Sequence, residues 1–84
     1  MNYILFVKKE CPFCVQAEEL LSEHDLNYSV IKFQEDQGDI LQEIKNAYDW
    51  KTVPMVFARS DDSIKFVGGY TDLVDFLTNE QQRR

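Results

Sequence analysis

The apolar positions change period along the chain, and each change marks an element. Residues 2–7, Asn2 to Val7, form a near-continuous apolar run, the pattern of a strand covered on both faces. Pro12 suits the first turn of a helix, where its missing N–H would have had no intrahelical partner. Cys14, Ala17, Leu20 and Leu21 then recur at helical spacing, with Gln16, Glu18, Glu19 and Glu23 on the other side. This predicted helix ends near His24 and Asp25. Residues 28–33, Tyr28 to Phe33, mix β-branched and aromatic residues with polar ones and read as a second strand.

Asp39 followed by Gln42 predicts a capped helix start, and Ile40, Leu41, Ile44, Ala47 and Tyr48 supply its apolar stripe. Met55–Ala58 and Ile64–Val67 are short strands around the polar turn Arg59–Ser63, so a hairpin is expected, closed by Gly68 and Gly69. A last helix starts near Thr71, with Leu73, Val74, Phe76 and Leu77 facing inward. The order is β-α-β-α-β-β-α. The first three elements give a right-handed crossover with parallel strands, and the hairpin adds antiparallel ones. The expected class is α/β, a mixed four-stranded sheet flanked by three helices. Ligands of open sheets bind at the carboxyl ends of the strands, where the first strand hands over to the first helix.

Length and charge narrow the function. A chain of 84 residues suits a single domain over 1–84. The net charge of −6 argues against non-specific nucleic-acid binding, which needs clustered cations. Arg83 and Arg84 are too few to change that and read as a frayed end. No apolar run approaches the ~20 residues that span a bilayer. Residues 1–7 lack the basic and small-residue signals of a secretory leader, so a reducing cytoplasm is the expected compartment. There a close cysteine pair is more often catalytic or metal-binding than structural.

The pair in question is Cys11-Pro12-Phe13-Cys14, at a strand-to-helix junction. Closing so short a loop restrains the unfolded chain little, so stapling explains it poorly. A helix N-terminus favours an anion, and the thiolate is the reactive form of cysteine. Lys8 and Lys9 add positive potential. Cys11 is therefore expected to be an activated nucleophile. Cys14, one turn further in on the same face, lies within disulfide reach. Two other readings stand beside this one. Half of a zinc site would need four ligands, and only His24 is left to add. Two inert buried cysteines are also possible, since free cysteine is a common core residue. The junction favours the redox pair.

Other prominent residues have plainer readings. His24 reads as surface or cap chemistry, Tyr48 and Trp50 as closing the core, and Glu35-Asp36 as a solvated loop. Gly68-Gly69 is too short to cradle a nucleotide phosphate.

Taken together, Cys11-Pro12-Phe13-Cys14, Thr52-Val53-Pro54 and Gly68-Gly69-Tyr70-Thr71-Asp72 resemble the dithiol glutaredoxins, a branch of the thioredoxin-like superfamily. The resemblance covers essentially the whole chain. It implies a thioredoxin-like fold and reduction of protein disulfides and glutathione mixed disulfides, with glutathione as reducing co-substrate and no metal. Cys11 would attack and Cys14 resolve. Lys8 would meet the glycine carboxylate of glutathione, with Lys51 a second contact or plain solvated charge. The Val53 backbone would pair with the cysteinyl part, beside a cis Pro54. Thr71 and Asp72 would hold the γ-glutamyl end, with Phe13 and Gly69 completing the site. Phe13 stands where tyrosine is frequent, and Tyr70 where a smaller residue is frequent. Expected partners are glutathione and disulfide-bearing proteins, ribonucleotide reductase being family-typical, with no nucleic acid or membrane, and the expected state is a monomer. A redoxin reduced by thioredoxin reductase and an iron–sulfur cluster binder are the alternatives. Cluster binding is more typical of members with one motif cysteine and without the equivalent of Pro12.

Overall fold

Strand β1, Asn2–Lys8, buries Tyr3, Leu5 and Val7 while Ile4 and Phe6 are only half covered. The apolar run predicts equal cover on both faces, but the two faces receive different partners. On one face, helices α1 (Pro12–Glu23) and α3 (Tyr70–Gln82) contribute Cys14, Ala17, Leu21, Leu73 and Leu77 to the main core. On the other, Phe6 meets Phe33 and Phe57, and Phe57 and Phe66 carry Tyr48. The computed structural model describes residues 2–82. Arg83 and Arg84, read above as a frayed end, lie outside the described residues.

Strand β2 (Asn27–Phe33) pairs in parallel with β1, from Asn2 with Asn27 to Lys8 with Phe33. Strands β3 (Met55–Ser60) and β4 (Ser63–Gly68) form the antiparallel hairpin, and β3 also pairs with β1. The sheet order is β2-β1-β3-β4. The central strands β1 and β3 supply Leu5, Val56 and Ala58 to the core, so the carboxyl end of β1 is anchored from both sides. That end leads directly into Cys11.

Three local features differ from the sequence expectation. The hairpin turn is only Asp61-Asp62, because Ser60 and Ser63 still pair across the ladder with their hydroxyls 2.9 Å apart. Their polarity suggests a loop, but on an exposed sheet edge the backbone ladder accepts polar side chains. Helix α2 (Gly38–Ala47) follows a single 3₁₀ turn, Glu35–Gln37, in which the Gln34 amide donates to Gln37 Oε1 at 2.8 Å. The cap therefore lies at Gln34–Gln37, with Asp39 in the first turn where its charge suits the helix dipole. Glu35 and Asp36 are exposed, as expected, but helical. Finally, α2 buries only Leu41, and Ile40, Ala47 and Tyr48 of its predicted stripe are exposed; Tyr48, expected to close the core, instead lies over Phe57 and Phe66 at the surface. The expected end of α1 is observed, with His24 as its C-cap and its Nδ1 2.9 Å from the Leu20 carbonyl oxygen.

Candidate active site

Cys11 is the N-cap of α1, in extended backbone with φ −118° and ψ 100°, and Pro12 occupies the first turn. The cap position leaves the first amides of the helix without intrahelical acceptors. The Cys14 amide fills that need by donating to Cys11 Sγ at 3.2 Å. No acidic residue stands in the first turn of α1 to compete for the positive end of the helix. Cys11 and Cys14 are joined as a disulfide with Cα atoms 5.2 Å apart. Cys14 is buried in the main core, whereas Cys11 is half-buried. One sulfur is thus partly open to solvent and the other sits behind it.

On reduction, the same amide and the positive end of the helix would favour a thiolate at Cys11. Alkylation of the reduced protein by iodoacetamide should modify Cys11 first. Its rate should inflect well below pH ~8.5, the ordinary thiol value. An inflection at or above that pH would rule out an activated sulfur.

The segment before β3 completes the site. The Val53–Pro54 peptide bond is cis, and the Val53 carbonyl oxygen lies 3.8 Å from Cys11 Sγ. A groove of about 220 Å³ opens beside it and gathers Phe13, Val53, Pro54, Gly69, Thr71 and Asp72. These six come from the start of α1, the loop before β3 and the start of α3. Asp72 folds back so that its Oδ2 accepts the Gly69 amide at 3.0 Å, tying the start of α3. Gly68, at φ +125°, makes room for this: a Cβ there would fall 2.5 Å from the same oxygen.

Two expected residues lie elsewhere. Lys8, exposed at the end of β1, lines a separate depression of about 390 Å³ with Lys9, Gln34 and Lys45. Lys51 is exposed next to Thr52 and is not part of the groove wall. Conversely, Trp50 was not expected in the site. It packs edge-on against Phe66, as a core residue would, but it also lines the groove beside Gly69. Its buried Nε1 has no partner among the described residues. Position just ahead of Lys51-Thr52-Val53-Pro54 was the one sequence signal for this role. Among the described residues, no group of three or more His, Cys, Asp or Glu stands together to hold a metal ion. No helix among them is long and apolar enough to cross a membrane.

A family profile described as glutaredoxin matches residues 4–62. Glutaredoxin-1 of Homo sapiens is 32% identical over 79 residues, spanning 84% of this chain and 68% of that protein. Glutaredoxin-1 of Bos taurus is 31% identical over 80 residues, spanning 86% and 69%. Among solved structures, a wheat glutaredoxin superposes with a TM-score of 0.78 at 26% identity, covering 94% of this chain and 71% of that one. The solution structure of a glutaredoxin from Brucella melitensis gives a TM-score of 0.75 at 22% identity, over 99% and 85%, and speaks for the fold alone.

Proposed function

The chain belongs to the glutaredoxin family and is a glutathione-dependent thiol–disulfide oxidoreductase, and we propose that Cys11 is its nucleophile and Cys14 its resolving cysteine. The observation that carries this division is the position of the two sulfurs. Cys11 is the half-buried cap of α1 with an amide on its sulfur, and Cys14 is buried behind it. Cys11 thiolate attacks a disulfide and releases one thiol. Cys14 then attacks Cys11 Sγ, releases the second thiol and leaves the protein disulfide. Glutathione returns the pair to the dithiol.

We further propose that glutathione lies extended across Cys11 between the two depressions. Its cysteinyl backbone would run along Val53, beside Pro54. The γ-glutamyl carboxylate would meet the start of α3 at Thr71, where backbone amides and the helix dipole favour an anion. Asp72 gives one carboxylate oxygen to Gly69, which leaves the other for the γ-glutamyl ammonium. The glycine carboxylate would reach Lys8, with Lys51 a second cation nearby. Phe13 and Gly69 would bound the groove. The site is built within one chain, which supports action as a monomer. Reducing cytoplasm is the compartment in which this dithiol would be regenerated, with disulfide-bearing proteins, ribonucleotide reductase among them, as acceptors.

The test is steady-state turnover of a glutathione mixed disulfide with glutathione as reductant. Charge-assisted contacts in a partly open groove are worth about 1–2 kcal/mol each. Lys8→Ala and Asp72→Asn should therefore each raise KM for glutathione roughly five- to thirtyfold. Asparagine keeps an acceptor for the Gly69 amide, so the second variant isolates the charge. Unchanged KM in both would sink the proposed ligand path and leave the cysteine roles standing.

A further inference from the structure

We propose that Phe13 and Tyr70 form an aromatic rim that selects disulfide-bearing polypeptides carrying an aromatic or large aliphatic residue beside the reacting cysteine. The proposal rests on the dithiol reading above and names the substrate class for it. Phe13 stands in the first turn of α1, two residues after Cys11, and is 57% exposed. A lone exposed phenylalanine is ordinary. This one is not alone. Its ring lies 6.1 Å from that of Tyr70, with the planes 33° apart, and Tyr70 opens a different helix. Both rings line the groove that holds Val53 and Pro54.

The rim faces the path a substrate chain must take. The Val53 carbonyl is 3.8 Å from Cys11 Sγ. A substrate sulfur bonded to Cys11 therefore lays its own backbone along Val53, as an added strand segment would. The residue next to that cysteine then meets the two rings. Glutathione would share this groove, but its γ-glutamyl and glycyl flanks carry charges and bring no apolar side chain to set against the two rings. A polypeptide with phenylalanine or leucine in that place gains burial against both rings.

Cys11 thiolate attacks one sulfur of the peptide disulfide, forming a mixed disulfide and freeing one peptide thiolate. Cys14 loses its proton and attacks Cys11 Sγ, which frees the second thiolate. Two electrons pass from the protein dithiol to the peptide disulfide, and the Cys14 proton together with one from solvent completes the two peptide thiols. Selection acts on the first attack.

The experiment uses the reduced full chain and peptides of the form X-Cys-Gly-Gly-Gly-Cys-X, with an internal disulfide and X either phenylalanine or glycine. Second-order rate constants are divided by those for dithiothreitol on the same peptides, which removes differences in the disulfides themselves. The phenylalanine peptide should be reduced about three- to tenfold faster, the scale of one added aromatic contact on a partly exposed surface. Phe13→Ala and Tyr70→Ala should each bring the ratio below about two, whatever they do to the absolute rates. Phe13 is exposed, so its truncation leaves the core intact. Reduction of both peptides at equal normalised rates, or a preference that survives both variants, would overturn the proposal. Failure to reduce either peptide would overturn the dithiol reading and this inference with it.

Discussion

Cys11→Ser should reduce every exchange activity to background, whereas Cys14→Ser should separate two activities that the parent protein combines. A serine hydroxyl at the cap of α1 accepts the Cys14 amide as the sulfur does, so the fold should persist. It cannot act as the thiolate, and the one cysteine that remains, Cys14, is buried behind it. Cys14→Ser leaves that thiolate and its amide donor untouched, because the donor is the backbone of residue 14. Removal of glutathione from mixed disulfides needs one sulfur and should continue. Direct reduction of protein disulfides should largely stop, since the mixed disulfide with Cys11 has no internal thiol to release it. The measurement is paired: glutathione release from a glutathionylated peptide, and thiol formation from an intramolecular protein disulfide. Loss of both activities in Cys14→Ser, in a folded protein, would refute the division of roles.

Gly68→Ala should be the most damaging single methyl group near the site. The backbone there sits at φ +125°, a conformation that side chains rarely adopt. Strain of that kind costs about 1–3 kcal/mol. The new Cβ would also lie 2.5 Å from Asp72 Oδ2 and 2.8 Å from its Cβ, so the carboxylate must leave the Gly69 amide. Loss of such a capping contact costs about 1 kcal/mol. The two effects together predict a loss of roughly 2–4 kcal/mol, a drop in Tm on the order of 10–25 °C for a domain of this size. KM for glutathione should rise as well, because the start of α3 is displaced. Gly69→Ala is the matched control. Its Cβ would meet Trp50 Cζ2 at 3.6 Å, an ordinary contact. Thermal unfolding of both variants decides the matter, and equal small losses would show that Asp72 moves aside freely.

The same geometry links folding to ligand binding. The Asp72–Gly69 contact that ends β4 and starts α3 also fixes one wall of the groove. The sheet that carries Val53 into register with Cys11 is anchored by Leu5, Val56 and Ala58. Stability and site precision therefore depend on shared residues near the carboxyl end of β1.

Sequence by itself determined the order of elements, the helix start at Pro12 and the placement of Cys11 and Cys14 within disulfide reach of each other, because these depend on local chemistry. Proline at a first turn, a 3.6-residue apolar period and two cysteines on one face each act over a few residues. Its motifs also marked Val53, Pro54, Thr71 and Asp72 through resemblance, without placing them near one another. What brought them together is the sheet order, which sets the loop before β3 beside the cap of α1 and the start of α3 beside both. Contacts between Val53 and Cys11 span 42 positions, and no local pattern encodes such a distance. Tertiary structure likewise decided that Trp50 faces the groove as well as the core, that Lys8 lies in a separate depression, and that the second sheet face carries a cluster of aromatic rings joining Phe6, Phe57, Phe66 and Tyr48. In each case the deciding contact is with a residue distant in the chain, and burial is settled only when that partner arrives.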